Sequence, residues 1–103
     1  MRSRTTARSG IPMETLERVA AALRVLAHPH RLKIVELLDG LELTVGGLAD
    51  RLKIPQAACS QHLNLMRVHG LLRARRTGRE VFYEIANPSA RNVIQCIREH
   101  EME

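Results

Sequence analysis

Between Ile54 and Leu72 the chain reads IPQAACSQHLNLMRVHGLL, and helical spacing sorts these residues onto two unlike faces. Cys59, Leu63 and Met66 fall on an inward side, with His62 at its edge. Ala57, Ser60, Gln61 and Asn64 recur on the opposite side. That outward side is polar but almost uncharged, and its tips are hydroxyls and amides. An ordinary solvated helix carries Lys and Glu there. Short side chains with hydrogen-bonding tips are what the edges of base pairs in a major groove require. Arg73, Arg75, Arg76 and Arg79 follow directly and bring charge suited to phosphates. On this reading Gln56 and Gln61 read adenine or other base-edge patterns, and Ser60 is adaptable. Asn64 and Arg67 face the nucleic-acid backbone. Thr44, at a helix start, is a further phosphate contact. Arg75, Arg76 and Arg79 flank the tip of a hairpin and suit minor-groove or phosphate contact.

The charge distribution supports that placement. Of the 103 residues, 16 are Lys or Arg and 11 are Asp or Glu, a net +5. The excess is local: Arg2, Arg4 and Arg8 face no acid within residues 1–12, and residues 54–85 set five arginines against Glu80 and Glu84. Positive charge therefore collects on the N-terminal arm and on the helix–hairpin unit, as a polyanion-binding surface requires. One Phe, one Tyr and no Trp leave an aliphatic core. A chain this short hides only about 60–70% of its unfolded surface, so self-association is a natural source of added stability. Cys59 and Cys96 lie far apart with no CxxC, which fits a reducing, cytoplasmic setting rather than a disulfide scaffold. No apolar run is long enough for a bilayer, and no membrane partner is expected.

The positioning elements follow from periodicity and breakers. Residues 1–12 read as a disordered basic arm and 13–103 as one DNA-binding and dimerisation domain. Pro12, Glu14 and Glu17 suit a first helical turn, and Leu16, Val19, Ala20, Leu23 and Ala27 form a stripe. His28-Pro29 ends that helix and opens a second, RLKIVELL, which Gly40 closes. Thr44 caps a short third helix with Val45, Leu48, Ala49 and Leu52 inward. Ile54-Pro55 then connects it to the two-faced helix. LLRARR and EVFYEI alternate with period two around Thr77-Gly78-Arg79, and Val81, Tyr83 and Ile85 form a buried face. Asn87-Pro88 starts a last helix bearing Ala90, Val93, Ile94 and Ile97. The expected fold is mainly α with a small β-hairpin, a winged helix-turn-helix of order α-α-α-α-β-β-α. The first and last helices lie outside the reading unit, each apolar on one side, so the same pair in a second copy is their expected partner. A two-fold homodimer would set its recognition helices about 34 Å apart and match a palindromic operator.

These stretches together resemble the ArsR/SmtB family of small winged-helix repressors: LAHPHRLKIVELL, LTVGGLADRLKIPQAACSQHL, LLRARRTGREVFYEI and the closing helix, over roughly residues 14–103. The resemblance implies a homodimeric repressor released from its operator by a chemical signal, with base contacts at Gln56, Ala57, Ser60 and Gln61. It also brings sensing sites to compare. Thr44 and Gly46 stand where one type has a Cys-x-Cys pair, so that site is absent. A second type joins paired closing helices; His100 and Glu103 match its late half, but Asn87 and Ser89 replace the Asp and His of its early half, and neither is a good zinc ligand. Persulfide-sensing relatives pair cysteines in the second and last helices. Glu36 stands at the first of these positions, and Cys96 comes earlier than the second.

Three sensing possibilities stay open on the residues alone. Cys96, His100 and Glu103 share a helix face and could hold zinc or another metal ion with a partner subunit's help, against a solvated last turn as the ordinary reading. Cys59 and Cys96 are the redox candidates, with Cys59 better read as a small buried hydrophobe. A repressor with no metal inducer is the third. His28 and His30 flank a helix start, where capping or exposure is expected, and His69 favours a helix dipole. The competing class is a winged-helix protein-interaction module binding an acidic partner. An enzyme is not expected: there is no Gly-rich phosphate loop and no paired acid–base cluster.

Overall fold

The computed structural model describes residues 10–100, so Arg2, Arg4 and Arg8 of the arm and Glu103 lie outside the described residues. Prolines and capping side chains set the helix starts. Pro12 precedes α1 (Met13–Leu26), whose first turn carries Glu14. The His28 ring accepts the His30 backbone N–H at 3.1 Å, and Pro29 occupies the first turn of α2 (Pro29–Leu38). Thr44 Oγ1 accepts the Gly47 N–H at 3.2 Å and opens α3 (Val45–Leu52). Pro55 precedes α4 (Gln56–Val68), and Asn87 Oδ1 accepts the Ser89 N–H at 2.9 Å to open α5 (Pro88–Glu99). Each cap satisfies an N–H that the first turn leaves without a partner.

Two helices end in the same motif with different residues. After α4, Gly70 takes φ +75, with Gly70 N–H donating to Arg67 O and Leu71 N–H to Met66 O, each at 2.9 Å. After α3, Lys53 takes φ 60, and Ile54 N–H donates to Ala49 O at 3.2 Å. Both are Schellman terminations, which ordinarily select Gly at the left-handed position. Gly40 was expected to close α2 in this way. The helix stops at Leu38 with Asp39 as its cap in right-handed geometry, and Gly40 has no positive φ. The bonds Asp39 N–H to Val35 O and Leu41 N–H to Leu37 O end that helix without a left-handed residue.

Strands β2 (Leu72–Thr77) and β3 (Glu80–Ile85) pair antiparallel, in register from Leu72↔Ile85 to Thr77↔Glu80. Gly78 at φ +64 and Arg79 form the two-residue turn, with glycine first as a type II′ hairpin needs. A third strand joins beside the expected hairpin: β1 (Leu43–Thr44) pairs with β3, giving the order β1-β3-β2. Thr44 is thereby held twice, by ladder pairing opposite Phe82 and by its cap bond.

Helix α2 packs against α1, α3, α4, α5 and β3, and Ile34 and Val35 are fully buried at that crossing. Leu48, Cys59, Leu63, Met66, Leu71 and Leu72 complete the fully enclosed centre, and no polar side chain is buried among the described residues. Burial of aliphatic surface is thus the main stabilising force. One ion-pair group staples the ends: Asp39 accepts from Arg91 at 2.6 Å and Arg98 at 3.2 Å, joining the end of α2 to α5. A different surface is left uncovered. On α1, Leu16, Val19 and Leu23 are 44%, 47% and 49% exposed, and Ile97 of α5 is 44% exposed. Val19, Leu23, Leu71, Ala90 and Val93 line an open groove between these two helices.

Candidate nucleic-acid interface

Helix α4 divides as its spacing requires. Cys59, Leu63 and Met66 are wholly buried, while Gln56, Ala57, Ser60, Gln61, Asn64 and Arg67 are all exposed. The apolar anchors immobilise the helix, so its outer side chains present a fixed pattern of amides and a hydroxyl. Asn64 Oδ1 accepts from Arg67 at 2.7 Å, which holds the guanidinium along the helix surface. No side chain caps α4, so its first-turn N–H groups are open to an acceptor. The Gln56 amide lies over the start of α3: a Cβ placed on Gly46 would come within 4.0 Å of its Oε1 and 3.9 Å of Thr44 Oγ1. Thr44 and Gln56 are therefore neighbours on one edge. Thr44 is half-buried, with its hydroxyl accepting from Gly47, which leaves that oxygen its own proton to donate.

The arginines of the hairpin separate into two groups. Arg73 Nε donates to Glu84 at 2.6 Å, and Arg75 Nε donates to the other oxygen of Glu84 at 3.2 Å. Arg75 also approaches Glu42 at 3.4 Å, donates to Thr77 Oγ1 at 3.0 Å, and sits over the Phe82 ring at 5.4 Å. The two guanidinium groups beside Glu84 hold its carboxyl below the ordinary range. Arg76 and Arg79 are exposed and make no ion pair among the described residues. The root of the wing is thus internally compensated, and the tip carries the net charge. Arg75, expected to face nucleic acid, is mainly occupied in bracing the hairpin.

The sensing candidates are placed as follows. Cys59 is fully enclosed, and burial pushes its thiol up, away from the reactive thiolate; that does not fit a redox role. Cys96 on α5 and His100, which caps its end, are exposed neighbours, Sγ to Nδ1 3.9 Å, but His100 Nδ1 is directed to Cys96 O at 2.8 Å. Glu103, their third member, lies outside the described residues. The family's closing-helix metal site does not fit this chain: Asn87 and Ser89 stand in its early half and neither is a good zinc ligand, and Asn87 Oδ1 already accepts the Ser89 backbone N–H as the cap of α5. Glu36, at the position of a persulfide-sensing cysteine, pairs with Lys33 at 2.8 Å.

One cluster is assembled by the fold and was not foreseen. His28, His30 and His62, read separately along the chain, meet at the crossing of α2 and α4 with ring centroids 4.6 to 5.7 Å apart. Burial first, then the neighbouring His28, Arg31 and His30, lower the affinity of His62 for a proton. The His28-x-His30 spacing was a visible signal; the approach of His62 depends on how two helices cross.

Comparison with known proteins agrees with this geometry. The family described as a helix-turn-helix domain matches residues 26–75. The transcriptional repressor PagR of Bacillus anthracis is 42% identical over 84 residues, covering 81% of this chain and 84% of PagR. The transcriptional activator HlyU of Vibrio cholerae is 33% identical over 94 residues, covering 85% of this chain and 87% of HlyU. The structure of reduced HlyU superimposes with a TM-score of 0.78 over 88% of this chain and 96% of HlyU. A homodimeric winged helix-turn-helix DNA-binding domain from Mycobacterium bovis, described as a possible ArsR-family regulator, is 28% identical with a TM-score of 0.76, covering 88% of this chain and 87% of that one. Such proteins are transcription regulators and not enzymes. With its two-faced α4, its wing and these relatives, the chain belongs to the ArsR/SmtB family of winged helix-turn-helix transcriptional regulators.

Proposed function

We propose that this protein is a cytoplasmic repressor that binds a palindromic operator as a homodimer and leaves it when a chemical signal arrives. The observation that carries the reading is the exposed, uncharged face of α4, rigidly backed by Cys59, Leu63 and Met66 and flanked by Thr44 and by the exposed Arg76 and Arg79 of the wing tip. Gln56, Ala57, Ser60 and Gln61 meet base edges, with Asn64, Arg67 and Thr44 on the backbone. Arg76 and Arg79 supply the wing's phosphate or minor-groove contacts, while Arg75 keeps the hairpin in shape and makes at most a secondary contact.

Dimerisation follows from the uncovered stripe of Leu16, Val19 and Leu23 beside Ile97. An apolar surface of this kind on a small domain marks a partner, and the relative from Mycobacterium bovis is homodimeric. Two-fold symmetry places the recognition helices one DNA turn apart, about 34 Å. The test is footprinting of the purified protein on the DNA upstream of its own coding sequence at physiological salt, with light scattering to give its mass. A protected inverted repeat and a dimer mass support the reading. Equal binding to all fragments, or a monomer, rejects it.

A further inference from the structure

We infer that His28, His30 and His62 form a binding site for one divalent transition-metal ion of the zinc, nickel or copper type, linking the start of α2 to the recognition helix. One nitrogen from each of the three half-buried rings lies within 4.8 Å of the other two. The rings are tilted by 43°, 55° and 72° to one another and not stacked flat, the arrangement in which three lone pairs can be turned toward one point. Zinc–imidazole bonds of 2.0–2.1 Å in tetrahedral geometry separate donor nitrogens by about 3.4 Å. Closing from 4.8 Å requires ring rotation of moderate size. The His30 side chain has no hydrogen bond among the described residues and is the ring freest to move.

The donor set selects the ion. It contains imidazole alone, with no carboxylate or thiolate, which favours zinc, nickel and copper over magnesium or calcium. Three protein ligands leave a fourth position for water or another small ligand. An open groove lined by Arg31, Gln61, His62, Asn64, Leu65 and Val68 reaches the cluster at His62.

Binding has defined competitors. His28 Nδ1 accepts the His30 N–H, and His62 Nδ1 accepts Arg31 Nε–H at 3.1 Å. In the neutral ring each Nε2 then carries the proton. Coordination through Nε2 moves that proton to Nδ1, and coordination through Nδ1 uses the accepting lone pair itself, so by either route both accepted bonds are given up. Arg31 stays anchored through its second bond, to Val25 O at 3.0 Å. The ion therefore displaces a cap bond of α2 and a brace on α4. It replaces them with a direct link between the two helices, next to Gln61. The site does not depend on the proposed DNA reading and is tested without DNA.

The experiment titrates Co²⁺ into chelator-treated full-length protein, following its ligand-field absorption, and then displaces it with Zn²⁺ in competition with a chromophoric chelator. One ion per chain is expected, with a nitrogen-type spectrum and no thiolate charge-transfer band. His30→Gln and His62→Gln should each weaken binding at least tenfold while keeping the far-ultraviolet circular dichroism of the parent. The double variant C96S/H100Q should bind as the parent does. Absence of binding, binding unchanged in both histidine variants, or binding abolished in C96S/H100Q overturns the site.

Discussion

The reading face and the α1–α5 face are both incomplete surfaces, but they lack different things. The first presents amides, a hydroxyl and unpaired guanidinium groups; the second presents Leu16, Val19, Leu23 and Ile97. Water solvates the first face well, so on the proposed function its completion by DNA would yield specificity and a salt-dependent affinity. Water solvates the second poorly, so on the same reading its completion by another copy would yield stability and a fixed spacing between reading heads. Aliphatic exposure drives assembly, and polar exposure without compensating acids drives recognition.

That contrast can be broken most severely at Leu23. Leu23→Glu places a charge on the apolar stripe and is expected to give a monomer by light scattering. Loss of the second reading head should cost on the order of 10²- to 10⁴-fold in operator affinity. A dimer that survives this change would move the interface elsewhere.

The next effect sharpens the reading face itself. Gln61→Ala should remove roughly 1–3 kcal/mol of discrimination at one base position, measured by competition among single-base operator variants. Arg79→Ala should weaken all sequences alike and reduce the slope of log affinity against log salt by about 1. Arg75→Ala should instead loosen the hairpin, because Glu84, Glu42, Thr77 and Phe82 lose their shared partner. Its signature is a lowered melting temperature with the salt slope little changed.

Smaller effects concern the framework joining the two faces. Asp39 is held below its ordinary value of 3.8, first by its bonds from Arg91 and Arg98. A carboxylate with a lowered folded value stabilises the fold above its unfolded value, and that contribution fades as pH falls through the lowered one. Acid unfolding should therefore steepen below about pH 4, and Asp39→Asn should flatten that limb. Lys53→Gly is the smallest change: relieving a side chain from φ 60 should raise stability by about 0.5–1 kcal/mol in chemical denaturation.

Much of the fold is legible in the residues because its signals are local. The spacing of Cys59, Leu63 and Met66 predicts both faces of α4; Thr44 and Asn87 read as caps; Gly78 reads as a turn. Strand β1 was illegible, since two residues carry no period, and it exists only because Leu43 and Thr44 find Tyr83 and Phe82. The end of α2 misled for a related reason: a glycine near a helix end offers a left-handed cap without requiring one. Lys53 shows the converse, as the α3–α4 turn imposes a left-handed residue where none is written.

Periodicity and composition by themselves determined that this chain folds as a winged helix-turn-helix with an uncharged, hydrogen-bonding recognition face, because each rests on neighbours within a turn or a pleat. The crossing of the helices decided which distant groups met. It enclosed Cys59 and gathered three imidazoles around α2 and α4, while the register of the hairpin matched Arg73 and Arg75 to Glu84 and left Arg76 and Arg79 without an ion pair among the described residues. Charge compensation and ligand convergence act over a few ångströms in space. Residues far apart in the chain acquire those distances only when the aliphatic core packs.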